Sequence, residues 1–444
     1  MKVDALPIDP GPAGWQAILP QRTPTASLRG DTHANVVVIG AGFAGLSAAE
    51  RLRQLDPALD VVVLDATAVG SGPAGRNSGF MIDLPHELTT EDYSGDSEKD
   101  RVQTQVNRAA IAFARDCQAR YAMADEALRM DGKTNAAATE SGEQHNRDYA
   151  KHLEAMNEPY RWLDQAAMKA MTGIDYYRSG LYTPGTAMLQ PALYIQSLAD
   201  GLVGAGVRLY EHSPVVDYLK QGDHWQINTP SGRVQAQKVI LAVNGHLNSF
   251  GYAKNRLMHV HTYASITRPL TAEEVSRLGG QPNWGLTPAH PMGTTVRRIS
   301  GVGGDRLIVR NIATFDASLS VPETRLHARI AKIHRRCFEA RFPKLTDVAF
   351  EHVWGGRLCL SMNSTSVVGE LEPGLFSANV QNGLGTALGT ANGIRAAEMA
   401  LNSYDSLLPP QAFAPPSRIV PEPIASIGAN AVLRWREFRA GREF

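Results

Sequence analysis

The chain contains little cysteine, no long apolar run and no net charge. Its three cysteines, Cys117, Cys337 and Cys359, are widely spaced and form no CxxC pair. This pattern predicts neither a disulfide framework nor a zinc site, and it favours a reducing, cytoplasmic compartment. No stretch approaches the roughly 18 consecutive apolar residues of a membrane span, and the residues before position 30 carry no apolar signal-peptide core.

The charge balance excludes one class of partner. Forty-four basic residues match 44 acidic residues, whereas nucleic-acid binding usually requires a net basic face. We therefore expect a small-molecule partner and no nucleic acid. At 444 residues the chain is too long for a single core, so two domains are predicted.

The most informative motif is a glycine turn between two apolar runs. The run Val36–Ile39 is followed by Gly-Ala-Gly-Phe-Ala-Gly, and Asp65 ends a second apolar run twenty positions after the last of these glycines. The three glycines allow a tight turn, a close approach to a pyrophosphate and close helix packing, and the carboxylate can accept ribose hydroxyls while repelling the extra phosphate of NADP. The unit predicts binding of NAD or FAD through Gly40, Gly42, Phe43, Ala44, Gly45, Asp65 and Ala66.

A second small-residue loop follows at residues 70–79 and contains Gly75, Arg76, Asn77 and Ser78. Backbone donors together with Arg76 are expected to stabilise pyrophosphate charge, and Asn77 and Ser78 to reach the polar edges of a flat cofactor. The loop therefore extends the predicted cofactor site.

The remaining periodicity predicts an interleaved α/β chain. Residues 97–172 have helical composition, residues 206–244 have the pattern of strands that insert into a parallel sheet, and strands near 259–267, 294–299 and 306–312 predict an antiparallel sheet. The predicted division is an extended arm at 1–32, pinned by Trp15 and Ile18; a nucleotide-binding domain at 33–95, 190–250 and 350–402; a substrate or cap domain at 96–189 and 251–349; and a tail with a helix at 403–444.

The tail ends in a basic amphipathic segment. Arg434, Arg436 and Arg439 alternate with apolar residues in a helix predicted over 425–438. Such a helix either packs on the body or a partner subunit, which we favour, or makes a peripheral membrane contact.

Several further motifs occur in a fixed order along the chain. They are Gly-Arg-Asn-Ser-Gly at 75–79, Gln190-Pro191, Gly-Val-Arg-Leu-Tyr at 206–210, Ala-Val-Asn-Gly at 242–245, Trp-Gly-Gly at 354–356 and Asn-Gly-Leu-Gly at 382–385. In this order they closely resemble the FAD-dependent amine and amino-acid oxidases of the D-amino-acid oxidase, glycine oxidase and sarcosine oxidase superfamily, nearest the gamma-glutamylputrescine oxidase branch.

The resemblance implies a glutathione-reductase-like FAD-binding Rossmann domain interleaved with a mixed or antiparallel-sheet substrate domain. It implies adenine contact through the Val215 backbone, and Ala242 to Asn244 along the ribityl and pyrophosphate region. A helix that opens at Gly383 to Thr386 would stabilise negative charge on a reduced flavin, which favours FAD over NAD. The further expected contacts are Trp354, Gly355, Asn382, Leu384 and Gly385.

Candidates for substrate contact come from the predicted second domain. Arg298 and Arg310 offer the planar fork that binds a carboxylate, and Arg297 on the opposite strand face is equally placed. His259 and His261 share one strand face without a third ligand at recognisable spacing, so no metal site is predicted. By the resemblance, His86 follows the Arg76 loop where the chain passes the flavin ring.

Two departures from the family bear on the chemistry. Cys359 lies near the cysteine that holds FAD covalently in some sarcosine oxidases, but its offset is wrong, so we expect noncovalent FAD. The lysine that those enzymes use to activate oxygen falls at or near Ile308, where no lysine stands. We therefore expect oxygen to be a poor acceptor, so that electrons pass either to oxygen or, as in a dehydrogenase, to a quinone or other electron carrier.

The expected reaction is FAD-dependent oxidation of a carbon–nitrogen bond in a small amine or amino acid. Candidates are N-substituted glycines, iminodiacetate and gamma-glutamylated amines, and hydride transfer gives an imine that water hydrolyses. The alternative is an FAD-dependent 2-hydroxy-acid dehydrogenase, which needs a base such as histidine. A flavin-bearing assembly or RNA-modification module is a third hypothesis, which the zero net charge disfavours for RNA.

Overall fold

The structure is a computed structural model that describes residues 1–85, 94–319, 323–403 and 405–444, apart from the side chains of 323–327. The α-helices of these residues are α1 (Gly14–Ala17), α2 (Phe43–Leu55), α3 (Ser97–Arg120), α4 (Glu140–Met156), α5 (Gln165–Thr172), α6 (Pro191–Gly204), α7 (Ala272–Leu278), α8 (Glu323–Arg341), α9 (Gly385–Ala400) and α10 (Ile424–Ala440).

The strands alternate with these helices along the chain. They are β1 (Gly30–Ile39), β2 (Val61–Leu64), β3 (Phe80–Met81), β4 (Leu128–Arg129), β5 (Lys133–Ala137), β6 (Arg161–Leu163), β7 (Ser179–Thr183), β8 (Ala187–Leu189), β9 (Arg208–Tyr210), β10 (Asp217–Gln221), β11 (His224–Asn228), β12 (Gly232–Leu241), β13 (Leu257–Thr267), β14 (Trp284–Pro288), β15 (Thr295–Ile299), β16 (Arg306–Phe315), β17 (Phe350–Ser361), β18 (Val367–Glu372) and β19 (Leu375–Asn379).

The first sheet is the parallel sheet that the glycine motif predicted. Its order is β10-β11-β12-β1-β2-β9, and β19 adds to β12. β12, β1, β2 and β9 run parallel, while β10 and β11 pair antiparallel as the predicted insert. One face packs on α2, α3, α6 and α9. On the other face, side chains of β1 and β2 share a buried cluster with side chains of the inserted strands and with Phe250. The sheet is buried on both faces, which is typical of parallel sheets.

The second sheet is mixed and mainly antiparallel, in the order β17-β13-β16-β15-β14-β5-β7-β6. β13 is an interior strand that pairs with both β16 and β17. The chain crosses between the two sheets several times, so the mixed α/β fold with interleaved sheets is confirmed.

Helix α3 differs from its predicted place in a cap. Val106, Phe113 and Cys117 on α3 belong to the same buried cluster as α2 and α9, so this helix covers the nucleotide-binding sheet. The predicted helical stretch at 97–172 also contains β4, β5 and β6, whose short polar sequences carry little strand signal. Among the described helices, none is long and apolar enough to cross a bilayer.

The N-terminal arm lies against both domains. The backbone of Lys2 pairs with that of Asp217 in an isolated antiparallel β-bridge, and the Val3 amide donates to the Val216 carbonyl at 2.9 Å. Trp15 and Ile18 are buried as predicted, but Trp15 lies in the short helix α1 rather than in an extended chain. The indole of Trp15 donates to the Asn77 carbonyl at 2.8 Å, which fixes the arm to the second glycine loop.

Candidate active site

A long cleft lies between the two sheets. Its walls come from the β1–α2 turn, the loop at 70–78, the start of α9, strand β13 and the N-terminal arm. The cleft therefore brings the predicted dinucleotide-binding turn, the second glycine loop and the second sheet to one space.

Each glycine of the β1–α2 turn has the task that the motif assigns to it. Gly40 has φ +104°, and a Cβ there would lie 2.5 Å from the Ala242 carbonyl oxygen; a Cβ on Gly45 would lie 1.7 Å from the Gly40 carbonyl oxygen. Gly42 is different, since the nearest atom to its Cβ position is the Ala74 Cβ at 3.6 Å and the residue lines the cleft. Gly42 therefore leaves room for a ligand at the N-terminus of α2, where helix amides favour phosphate.

Asp65 lines the cleft beside this turn. One carboxylate oxygen accepts the Ala41 amide and the other accepts the Thr67 amide, each at 2.8 Å. Burial raises the pKa of Asp65, and these hydrogen bonds oppose the shift. The carboxylate thus has a fixed orientation toward the dinucleotide end of the cleft.

Arg76 does not have the expected arrangement for binding pyrophosphate. Its guanidinium donates to the carbonyl oxygens of Ser71 at 2.6 Å, Pro10 at 3.2 Å and Gly355 at 3.1 Å, and it also contacts the Gly11 carbonyl. The side chain is buried by the arm, and it ties the arm, the second glycine loop and β17 together. The sequence could not reveal this, because the carbonyl partners come from distant backbone.

The start of α9 also borders the cleft. Gly383, Gly385 and Thr386 line it, and the Thr386 hydroxyl donates to the Phe80 carbonyl at 2.8 Å. Asn244, which lines the same cleft, has φ +46°, and its Oδ1 is buried with no partner among the described residues. An unsatisfied acceptor and a helix N-terminus in one cleft fit the polar edge of a flat cofactor.

The predicted cofactor residues divide into two groups. Those that line the cleft are Gly40, Gly42, Phe43, Ala44, Asp65, Ala66, Arg76, Asn77, Ser78, Val215, Ala242, Asn244, Gly383, Gly385 and Thr386. Those outside its lining are Gly45, Gly75, Trp354, Gly355, Asn382 and Leu384. Trp354, for example, packs edge-on against Trp15 at 6.4 Å and donates to the Arg76 carbonyl. The residues of this second group are adjacent in sequence to residues that line the cleft, or pack against them, without lining it themselves.

Four side chains form a histidine–arginine cluster: His246, His259, His261 and Arg357. His259 and Arg357 lie on the paired strands β13 and β17, and His246 follows β12. Arg357 donates to His246 Nε2 at 2.8 Å and to both carboxylate oxygens of Asp9 at 3.2 and 2.9 Å. His246, His259, Arg357 and Asp9 line the cleft, whereas His261 lies outside its lining.

Sequence reasoning missed His246, Arg357 and Asp9. His246 and Arg357 directly follow recognised motifs, at 242–245 and 354–356, which is a signal that could have found them. Asp9 had no signal, because its partner is 348 positions away.

The cluster holds its imidazoles neutral. Burial, strengthened by the charge of Arg357, lowers the pKa of His246 to about 3 and the pKa values of His259 and His261 to about 4. At neutral pH these rings can accept a hydrogen bond but add no positive charge. The structure places no group of three or more potential metal ligands together among its described residues.

The predicted arginines separate in the structure. Arg310 lines the cleft from β16. Arg298 lies outside the cleft lining and donates to the Gly279 and Gln281 carbonyls at 2.6 and 3.1 Å, so its expected carboxylate-binding role is not supported. Arg297 likewise donates to the Ser78, Gly79 and Leu189 carbonyls behind the second glycine loop. His86 lies outside the described residues.

Comparison with known proteins identifies the family. The family described as "FAD dependent oxidoreductase" (DAO) matches residues 35–399. The chain belongs to this family.

Individual relatives agree with this assignment. The chain is 27% identical over 414 residues to the probable oxidoreductase OrdL of Rhizobium meliloti, covering 90% of this chain and 91% of that protein. It is 27% identical over 237 residues to gamma-glutamylputrescine oxidoreductase of Escherichia coli, covering 50% and 52%. The glycine oxidase structure from Geobacillus kaustophilus superposes with a TM-score of 0.70 at 18% identity, covering 88% of this chain and all of that one. The resemblance drawn from the motifs is confirmed.

FAD is the cofactor of this family, and the cleft fits it. The Gly42 position leaves space beside the N-terminus of α2, and Asn244 Oδ1, which has no partner among the described residues, is buried at the same cleft. Residues of the β1–α2 turn and Asp65 would hold the adenosine and pyrophosphate, and Asn244 and the start of α9 would hold the flavin.

Gly42→Val tests this placement. The glycine has an ordinary φ of −93° and room for a Cβ, so the fold should tolerate the substitution while the side chain fills the pyrophosphate space. We expect the ratio of bound flavin to protein, measured from the visible spectrum, to fall at least about tenfold with unchanged far-ultraviolet circular dichroism. Gly204→Ala in α6, which has open space around it, is the control. Full flavin content in Gly42→Val would contradict the placement.

The buried histidines predict a pH dependence of stability. Because His259 has a folded pKa near 4 and an unfolded pKa near about 6.5, the unfolded state binds more protons between these values. Stability should therefore fall as pH drops below about 6.5, by up to roughly 1.4 kcal/mol per pH unit for each such histidine. The free energy of unfolding, measured with urea at each pH, should fall less steeply with decreasing pH in His259→Gln than in the wild type. The exposed-residue control His212→Asn should keep the wild-type pH dependence. Parallel curves for all three proteins would be inconsistent with a buried neutral His259.

Proposed function

We propose that this protein oxidises a carbon–nitrogen bond in a small amine or amino acid, with noncovalent FAD as hydride acceptor and an imine, later hydrolysed, as product. The main observation in support is the composition of the cleft beyond the cofactor residues. There Arg310, Tyr263 and His259 from the second sheet face the same space as Asn244 and the start of α9. A substrate held by these side chains would lie between the second sheet and the flavin end of the cleft.

Electrostatics favour an amine over a 2-hydroxy acid. Oxidation of a hydroxyl needs a base whose pKa lies near the working pH. His246 and His259 have pKa values of about 3 and 4, so they are poor acceptors for a hydroxyl proton. A neutral amine needs no such base, and the neutral imidazole of His259 can accept one of its N–H groups. His246 Nε2 already accepts from Arg357 at 2.8 Å. The hydroxy-acid dehydrogenase remains the alternative for the experiment below.

Arg310 is the proposed site for a substrate carboxylate. It projects from β16, between β13 and β15, and borders the cleft. Arg357 is also at the cleft, where its guanidinium pairs with Asp9 at 2.9 Å. The planar guanidinium of Arg310 can form a bidentate pair with a carboxylate that enters the cleft. N-substituted glycines, iminodiacetate and gamma-glutamylated amines all carry such a group.

The electron acceptor is proposed to be a carrier rather than oxygen. Three cations, Arg76, Arg310 and Arg357, line the cleft among the described residues, and no lysine does. Ile308 is buried in a cluster with Trp15 and Trp354, away from the cleft lining.

The proposed location is the cytoplasm. The three cysteine thiols are buried and form no disulfide, which is in keeping with a reducing compartment.

The residues of this chain have positioning roles in the proposed reaction. FAD, when bound, supplies the group that accepts a hydride from the carbon next to nitrogen. Arg310 orients the carboxylate, and the imidazole of His259 accepts an N–H of the amine. The arm residues Leu6 and Pro7 cover part of the cleft and limit water.

The visible spectrum of the holoenzyme tests the reaction class. Mixed anaerobically with sarcosine, iminodiacetate, gamma-glutamylputrescine, D-alanine or L-proline, the yellow flavin should bleach with at least one amine. Glycolate and 2-hydroxyglutarate are the matched hydroxy acids, and they should leave it oxidised. Bleaching by hydroxy acids alone would establish the alternative. A protein that takes up no FAD would overturn the proposal.

The variant Arg310→Met tests carboxylate recognition. Loss of a charge-assisted pair should raise the substrate concentration for half-maximal bleaching by about 10- to 100-fold for substrates that carry a carboxylate near the amine. An amine without a carboxylate should change much less. Arg233→Met, on an exposed strand position paired with Asp31, is the control. Equal losses for both classes of amine would contradict this role.

A further inference from the structure

One face of α10 is apolar and exposed. Ile424, Ile427, Trp435 and Phe438 are 66%, 70%, 58% and 84% exposed, which is unusual for large apolar side chains. With Ala431 they are spaced three or four residues apart, so they form one stripe along the helix. We call these five residues the α10 stripe.

The polar face of α10 next to the stripe is fixed to the second sheet. Asn430 exchanges hydrogen bonds with the backbone of Phe315 at 3.0 and 2.9 Å, and Glu437 accepts the Ala313 amide at 3.1 Å. Arg434 also contacts the Ala313 carbonyl. Because these contacts hold the helix by its polar face, the α10 stripe points away from the body of the protein.

Arginines flank the α10 stripe. At about 100° per residue, Arg434 lies on one side of the stripe and Arg439 on the other, with Arg436 beyond it. The guanidinium of Arg439 lies 5.3 Å from the centre of the Trp435 ring. The one acidic side chain of the helix, Glu437, is paired with Arg434 at 2.8 Å. The outward surface is therefore apolar along its centre and basic along the edge that carries Arg436 and Arg439, whereas Arg434 on the other edge is paired with Glu437 and bonded to the sheet.

We propose that the α10 stripe docks on an anionic lipid bilayer. Its apolar side chains would enter the boundary between headgroups and acyl chains, where tryptophan is favoured, and the arginines would contact lipid phosphates. A basic-edged apolar stripe is complementary to such a surface. The proposal concerns membrane attachment and does not depend on the substrate.

A second copy of the chain is a weaker fit to this surface. A 17-residue helix is about 26 Å long and its exposed face about 10 Å wide, so it offers roughly 260 Å² per copy. Stable protein interfaces bury about 800 Å² per partner.

Vesicle flotation of the holoenzyme tests the proposal. The wild-type protein should float with phosphatidylcholine vesicles that contain phosphatidylglycerol, and at least about tenfold less with phosphatidylcholine alone or at high salt. The triple variant Ile427→Ser, Trp435→Ser, Phe438→Ser should lose binding at least about tenfold. Arg436→Gln with Arg439→Gln should weaken it by about fivefold for each charge removed.

Control variants separate the stripe from exposed apolar residues in general. Val203→Ser with Leu219→Ser removes two exposed apolar side chains elsewhere and should float like the wild type. The flavin spectrum and melting temperature of each variant report whether it is folded. Failure of the wild-type protein to bind either vesicle, or equal binding by the triple variant, would overturn the proposal. So would a wild-type dimer, seen by light scattering, that becomes monomeric in the triple variant.

Discussion

The guanidinium of Arg76 joins its own loop to the N-terminal arm and to Gly355, which is 279 positions away, and the cleft depends on this junction. It binds carbonyls of the N-terminal arm, of its own loop and of β17. A buried arginine that neutralises carbonyl dipoles is costly to replace, since each freed carbonyl would be buried without a donor. Arg76 thereby places Asn77 and Ser78 against the cleft and holds the second sheet beside the first.

Close packing of α2 against α9 provides the other half of the site. A Cβ on Gly393, in the middle of α9, would lie 2.1 Å from the Ala44 carbonyl oxygen, so α9 approaches α2 more closely than ordinary side chains allow. Both helices begin at the cleft. Two positive helix termini would then face a bound ligand that carries phosphates and an electron-accepting ring.

The parts of the molecule that could be predicted from sequence are those governed by local rules. The GxGxxG turn, Asp65 and the strand insert follow from spacing and period, and the structure and the family match agree with them. The predictions differed from the structure where partners far along the chain determine the position and role of a side chain. Arg76, Arg298 and Trp354 have the residue types expected of ligand contacts, yet backbone and ring partners far along the chain hold them outside that role. Asp9 and Arg357 meet across 348 positions, which no local pattern encodes.

The position of the arm has a consequence for cofactor exchange. Residues 3 to 9 border the cleft, and the buried Asp9–Arg357 pair fastens them there. Separating such a pair costs roughly 3–5 kcal/mol when one partner stays buried, which corresponds to a slowing of about 10²- to 10³-fold or more if the arm must detach first. Release of FAD would then be limited by detachment of the arm, and the protein would retain its cofactor kinetically even where equilibrium affinity is modest. Loading with FAD would likewise be coupled to the docking of the first nine residues on the folded chain.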